Sequence, residues 1–434
     1  MVSALDWGSK GRRFESGRPD QSYPLPDMRV CEGRRLSARN GRRLPFPLGP
    51  PRHSLSRKDG SGMTSVSLRQ RSVRRSPLAT MFAACLGVGL AVAPGCGCRR
   101  QRPLDQSAKQ PTQPTAPQPL PMRDIPILCM HDVGPNAKNA YSVRTADLEK
   151  YLKWLSDQGY QTVTVRDVAA FLDRQGPLPD KPIVLCFDDN WKSALKVVQP
   201  MLNKYGFVGV AFVMTDNLGM GERKLSWQDC KALAAAGWEI GSHTRSHENL
   251  TRVARGKAPD SIHPMVEDQI RGSKAAIEGK AGVEATSLAL PYGNYDTFVL
   301  ETAKDAGYTA AVSIDKGVAD EQSDPFLLPR RMVVNGTSFA TFQRLCTTRT
   351  LHVKALDPPP GTRVIAAVQT ITGVLGDADV MAAPLGEVQG KPATVSFDAA
   401  SRRITLKAEL NRGANSIALA ASGREVSWLL IRDG

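Results

Sequence analysis

Two short segments hold side chains that could do chemistry together. The first is Phe187-Asp188-Asp189-Asn190, which ends the apolar run Ile183-Val184-Leu185; the second, further along, is His243-Thr-Arg-Ser-His247. Adjacent carboxylates at a strand end and two histidines four apart are the donors a hydrolase needs to hold a divalent metal with a base beside it. An i, i+4 pair lies on one face of a helix, so both imidazoles could point at one ion. Asp189 supplies a third ligand and leaves a position for water, the pattern of a catalytic rather than a structural site. At a strand end the chain is free to turn, so Asp188 can face that water while Asp189 faces the ion. Two His and one Asp suit zinc and would also accept cobalt or nickel.

The elements that must position these residues are legible as alternation. Strands are predicted at Ile125–Met130, Gln161–Val165, Ile183–Phe187, Val208–Met214, Trp238–Ser242, Ser287–Leu290 and Tyr308–Ile314. Between them lie amphipathic stretches, one with Leu148, Tyr151, Leu152 and Leu155 at helical spacing, another behind a Ser226…Asp229 capping box. Strand–helix alternation implies parallel β-structure with helices outside, and seven such strands suggest a barrel. The chemical motifs fall where strands end and loops begin, the catalytic rim of a β/α barrel.

Phe187-Asp-Asp, His243-Thr-Arg-Ser-His247 and Pro291-Tyr292-Gly293, in that order, resemble the polysaccharide deacetylase family (carbohydrate esterase family 4) over about residues 124–345. The resemblance implies a distorted (β/α)7 barrel. It further implies Asp188 as catalytic base, Asp189, His243 and His247 as the metal triad, and the Tyr292 backbone N–H as an oxyanion donor. In that family the leaving group's acid is usually a histidine late in the domain. Here His352 falls at the domain's end and His263 precedes a proline. His131, in Leu128-Cys-Met-His131-Asp132-Val133, closes the first predicted strand. With Tyr141-Ser-Val-Arg144 and Gln158-Gly-Tyr-Gln-Thr-Val163 after it, this start resembles the deacetylases of poly-β-1,6-N-acetylglucosamine, which implies His131 as general acid. Ala289 stands where many members carry an arginine that orients the base; Arg330 is expected to do so from another strand end. Asn190 replaces the family's usual glycine. Trp191 and the Tyr292 ring are candidates for sugar stacking, barrel packing being the plainer reading.

The reaction implied is removal of N-acetyl groups from an exported amino-sugar polymer. Peptidoglycan, chitin oligomers and acetylated xylan are alternative substrates. A different class, an inactive glycan-binding relative, is disfavoured by the presence of both aspartates.

Net charge is +15, but residues 1–123 hold 22 Lys and Arg against 7 Asp and Glu, and residues 124–434 hold 35 of each. The part expected to fold is therefore neutral, with no footprint for a nucleic acid. Residues 1–62 are rich in Arg, Gly, Pro and Ser and are expected to be disordered, as an upstream extension of a chain whose true start is Met63. Residues 63–98 read as a signal peptide: Arg69, Arg71, Arg74 and Arg75 precede an apolar stretch from Leu78 to Ala93 and then Ala93-Pro-Gly-Cys96. This resembles a bacterial lipoprotein cleavage site and implies a lipid anchor at Cys96 in the cell envelope; a retained membrane helix or plain secretion would share the stretch. Residues 99–123 are a Pro/Gln-rich tether. No CxxC spacing is present, and Cys129 and Cys186 read as small buried thiols. Residues 124–349 form the expected deacetylase domain. In residues 350–434, short alternating runs such as Ile404–Ala408 and Glu425–Ile431 predict a small β-sandwich, vaguely similar to bacterial immunoglobulin-like modules.

Overall fold

The computed structural model describes residues 123–137 and 139–434, so the expected extension, signal segment, Cys96 and all but the last residue of the tether lie outside the described residues. Seven strands line the first half: β1 (Ile127–Met130), β2 (Pro182–Asp188), β3 (Val210–Val213), β4 (Glu239–Ser242), β5 (Ser287–Ala289), β6 (Ala310–Val312) and β7 (Arg331–Met332). They pair in parallel in the order β7-β1-β2-β3-β4-β5-β6. Leu328, just before β7, bonds back to the other edge: its N–H donates to the Ala311 carbonyl at 3.1 Å and its carbonyl accepts from Ser313 N–H at 2.9 Å. The sheet therefore curls into a barrel.

Seven positions were expected, but one is filled differently. Gln161–Thr162 pairs only with the start of β2, and Val165 already begins a helix. Arg331–Met332 takes the seventh place. Two residues carry no detectable period, so this strand exists only because the barrel closes on it.

Helices α1 (Thr145–Asp157), α2 (Val165–Leu172), α3 (Gln199–Asn203), α4 (Trp227–Ala235), α5 (His263–Ala281), α6 (Thr297–Asp305) and α7 (Phe339–Thr347) accompany the strands. Helix α1 buries Leu148, Tyr151, Leu152 and Leu155, the expected stripe. The Ser226…Asp229 capping box forms at the start of α4, and Thr164 and Asp167 form another at α2. Strand residues alternate between two apolar cores: Ile127, Val184, Cys186, Val210 and Phe212 belong to one, Leu128, Met130, Ile183, Leu185 and Phe187 to another. Both faces being apolar, the strands read as nearly unbroken hydrophobic runs, as parallel strands covered on two sides do.

The second half is all β. Strands β8 (Val353–Asp357), β9 (Val368–Leu375), β12 (Val395–Asp398) and β13 (Arg403–Glu409) make one antiparallel sheet in the order β8-β9-β13-β12. The other contains β10 (Leu385–Val388), β11 (Lys391–Ala393), β14 (Gly413–Ala421) and β15 (Arg424–Arg432) in the order β15-β14-β10-β11. Arg349–Thr350 and Arg363–Val364 both pair in parallel with β15. Ile371 and Leu406 from the first sheet share one core with Ile417 and Trp428 from the second, so the two pack as a sandwich.

Candidate active site

Strand parity decides which side chains reach the barrel's mouth. Val184 and Cys186 face one core, so Asp188 points the same way and is buried. Asp189 then leaves the strand at φ 70° and Asn190 follows at φ 58°. A left-handed non-glycine residue costs about 1–3 kcal/mol and persists where its surroundings over-determine it. Here the Asn190 amide does that: Nδ2 donates to the Met214 carbonyl at 2.7 Å and Oδ1 accepts from Met214 N–H at 2.9 Å. Expected only to tolerate the turn, Asn190 also splices the ends of β2 and β3 together.

The His243–His247 segment is not a helix, which corrects the expectation. It leaves β4 as a loop, with Thr244 at φ 64° and His247 at φ 65°. Its backbone groups find partners outside a helical ladder. Gln269 Oε1, on α5, accepts from Arg245 N–H at 3.1 Å and Ser246 N–H at 2.9 Å, and Thr244 Oγ1 accepts from His247 N–H at 3.1 Å. The loop still brings the rings together, edge to face at 4.6 Å.

His243 Nδ1 donates to the Ala289 carbonyl at 2.8 Å, which fixes the tautomer and leaves the Nε2 lone pair facing inward. Nε2 lies 3.7 Å from Asp189 Oδ1, and His247 Nε2 lies 4.0 Å from the same oxygen. Those separations are too long for hydrogen bonds. Asp189 Oδ1 is buried and has no hydrogen-bond partner among the described residues. Ligands held tetrahedrally on zinc stand about 3.4 Å apart, so the three donors form a slightly opened cradle for such an ion. Burial, reinforced by His243, pushes His247 down to about 4, so it is a neutral donor at neutral pH.

Beside this group Arg330 Nη1 donates to both oxygens of Asp188, at 3.0 and 2.8 Å, while Arg330 Nε donates to the Ser313 carbonyl at 3.1 Å. The arginine is buried, not a surface residue. Burial alone would raise Asp188, but Arg330, then His243 and His131, outweigh it and hold the carboxyl below its ordinary range. The Cys129 thiol donates to Asp188 Oδ2 at 3.4 Å, a contact its burial did not suggest.

His131, just past β1, has Nε2 3.8 Å from Asp189 Oδ2, and its Nδ1 is buried without a hydrogen-bond partner among the described residues. Burial lowers its pKa although Asp189 and Asp188 pull it upward. Tyr292 sits at φ 59°, ψ 7°, its ring edge-on to His247 at 4.6 Å. The next residue has to be glycine. Gly293 is at φ 68°, and a Cβ there would collide with the Ile314 side chain and lie 2.8 Å from its backbone nitrogen. Asp188, Asp189, His131, His243, His247, Tyr292 and Arg330 are thus gathered at one end of the barrel.

Residues 175–311 match the family model for polysaccharide deacetylase. Over those residues the chain is similar to a polysaccharide deacetylase domain. YxkH of Bacillus subtilis, classed by name among polysaccharide deacetylases, is 28% identical over 218 residues, covering 50% of this chain and 74% of that protein. The poly-β-1,6-N-acetyl-D-glucosamine N-deacetylase of Staphylococcus aureus (strain MRSA252) is 22% identical over 198 residues, covering 44% of this chain and 68% of its own length. The Streptococcus pyogenes deacetylase PplD, solved with acetate, is 21% identical with a TM-score of 0.47, over 52% of this chain and 99% of that one.

Two histidines of the deacetylase domain and its flank lie outside the cluster. His352 is held by two carboxylates, Nε2 to Asp320 Oδ2 at 2.7 Å and Nδ1 to Asp377 Oδ1 at 3.0 Å, and His263 stacks on Phe298 at 3.5 Å. Trp191 carries cations against its ring, Lys224 Nζ at 4.1 Å from the centroid and Arg223 at 5.0 Å, so its faces are already partly used. Lys224 Nζ also donates to the Asp189 carbonyl at 2.7 Å, and Arg223 pairs with Asp132 at 2.9 Å. These loop-to-loop contacts leave no spacing in the sequence to find them by.

Proposed function

We propose that the chain is a metal-dependent N-deacetylase of an amino-sugar polysaccharide of the poly-β-1,6-N-acetylglucosamine type. The observation that carries this reading is the cradle of Asp189, His243 and His247, with Asp188 beside it, both of its oxygens on Arg330 Nη1. The name of the S. aureus relative supports the substrate class. Peptidoglycan, chitin oligomers and acetylxylan are the alternatives that the same chemistry would serve.

A divalent ion, zinc foremost and cobalt or nickel next, would be held by Asp189, His243 and His247 and would supply Lewis acidity toward the acetyl carbonyl and the attacking water. Asp188, aimed by Arg330, takes the water's proton as the water attacks. The backbone N–H of Tyr292 donates to the oxygen that gains charge in the tetrahedral intermediate. Neutral at rest, His131 acquires a proton during the cycle and delivers it to the departing amine. Asp188, holding the water's proton, is the source this reading assigns: it shares with His131 and Cys129 a group whose donor atoms lie within 4.8 Å of one another.

Product analysis with poly-N-acetylglucosamine, chitin oligomers, peptidoglycan and acetylxylan, with and without chelator, tests the reading. Chelator-sensitive release of acetate with new free amines is expected. Asp189→Ala, His243→Ala and His247→Ala should each lose the ion by elemental analysis; stoichiometric metal in all three would remove the assignment. We further propose export and envelope anchoring through Cys96, on the sequence alone. Cys96→Ser should then abolish labelling by a fatty-acid analogue, and unchanged labelling would sink that part.

A further inference from the structure

No Trp, Tyr or Phe ring of the C-terminal sandwich is exposed. Its aromatics are Phe397 and Trp428, the first half-buried and the second buried in its core. Strand β15 instead reaches into the barrel. Ser427 Oγ donates to Asp315 Oδ1 at 3.1 Å and accepts from Lys316 N–H at 2.7 Å. Two residues on, Leu429 N–H donates to the Tyr295 hydroxyl at 3.1 Å, and that hydroxyl donates to Asp315 Oδ2 at 2.9 Å. The same carboxylate oxygen accepts from Ser313 Oγ at 2.9 Å, while Ser313 Oγ accepts from Asp315 N–H at 3.1 Å. Ser313 is therefore clamped, and its carbonyl is the acceptor of Arg330 Nε.

We propose that the sandwich is a positioning device for the active site: Ser427, through Asp315 and Ser313, sets the direction of the Arg330 guanidinium and hence of Asp188. The idea rests on the reading of Asp188 as the base. Four hydrogen-bonded steps join β15 to that carboxylate through buried groups, in surroundings where each bond is stronger than in water. The Arg330–Asp188 contact engages a single guanidinium nitrogen, so the orientation of the fork has to be fixed elsewhere, and Nε on Ser313 fixes it. The same Asp315 holds Tyr295, which follows Tyr292 and Gly293 on the oxyanion loop. One carboxylate at the root of the sandwich thus ties the base side of the site to the oxyanion side. Surface pairing such as Lys316 Nζ with Glu387 at 2.6 Å joins the same two halves without entering this chain of contacts.

The test compares full-length Ser427→Ala, Ser427→Thr, Asp315→Ala and Glu387→Gln for kcat and KM on an N-acetylglucosamine oligomer, metal content and thermal midpoint. The exchange rate of the Arg330 Nε–H signal is followed by NMR alongside. Loss of one hydrogen bond in the chain should lower kcat about five-fold in Ser427→Ala with KM and metal unchanged. Ser427→Thr, keeping the hydroxyl, should restore it. Asp315→Ala should fall further, about 10–100-fold, by leaving the hydroxyls of Ser427, Tyr295 and Ser313 without their acceptor. Glu387→Gln should keep kcat whatever it does to the midpoint. Wild-type kcat in Ser427→Ala and Asp315→Ala would overturn the proposal, and so would an unchanged Arg330 Nε–H exchange rate. An Asp188→Asn control that stays fully active would instead overturn the base assignment beneath it; the exchange measurement still decides whether the sandwich positions Arg330.

Discussion

At the scale of residues, the site separates two adjacent carboxylates by what surrounds each. Asp188 is buried against a guanidinium, whereas Asp189 Oδ1 has no hydrogen-bond partner among the described residues and faces the Nε2 atoms of His243 and His247. In the proposed reading, one environment stabilises a charge that receives a proton briefly and the other holds a cation. Asp188→Asn should therefore keep its metal and lose about 10²–10⁴-fold in turnover, because an amide cannot take the proton. Rates near wild type would assign the base elsewhere. His131 faces a different demand, since an acid matters most for a poor leaving group. A sugar amine needs the proton to depart and a nitrophenolate does not. His131→Ala should cripple amino-sugar deacetylation while sparing an activated aryl acetate, with metal content unchanged. Equal losses on both substrates would place His131 in binding or in shaping the site.

At the scale of elements, the site is made at strand ends by residues in left-handed conformations: Asp189, Asn190, Thr244, His247 and Tyr292. None is glycine, so each turn must be held by partners, as Gln269 holds the histidine loop and the Asn190 amide holds the aspartates. Gly293 is the position where no partner could accommodate a Cβ. Gly293→Ala would meet both the φ 68° backbone and Ile314. The expected outcome is a stability loss of about 1–3 kcal/mol and a larger fall in kcat than in metal affinity, since Tyr292 N–H moves and the triad does not. Calorimetry and kinetics on one preparation check it, and an unchanged kcat would remove Tyr292 from the oxyanion role.

At the scale of the whole molecule, barrel and sandwich are joined by charge as well as by packing. His352 sits between Asp320 and Asp377, and the hydrogen bond to Asp320 chiefly raises it to about 9 against the cost of burial. Its pKa is raised on folding, so its stabilisation is complete below the unfolded value of about 6.5 and is lost as pH rises through about 9. Between pH 7 and pH 10 the wild-type midpoint should fall more steeply than that of His352→Gln, which has no proton to lose there. Parallel slopes would mean that the ion pair contributes nothing. The depressed Asp377, pulled down by His352 against burial, works the other way and is lost only toward acid.

The donors of the candidate site were legible in the sequence because they are local. Asp188-Asp189, His243…His247 and Pro291-Tyr292-Gly293 each hold their donors within a few residues of a strand end, and strand ends show as breaks in apolar runs. The same locality carried α1 and the two-sheet tail. What the chain alone did not determine depends on closure in space. The histidine pair mimicked a helical spacing that a loop fulfils, because Gln269 satisfies its backbone from a helix distant in sequence. The seventh strand is two residues that pair only once the barrel curls round to them. Arg330 reaches Asp188, and Ser427 reaches Asp315, across sequence separations of 142 and 112 residues. No periodicity records such contacts: the first exists because β7 closes the barrel onto β1 beside β2, the second because β15 packs where the barrel's last strands end, and only the tertiary structure puts those ends together.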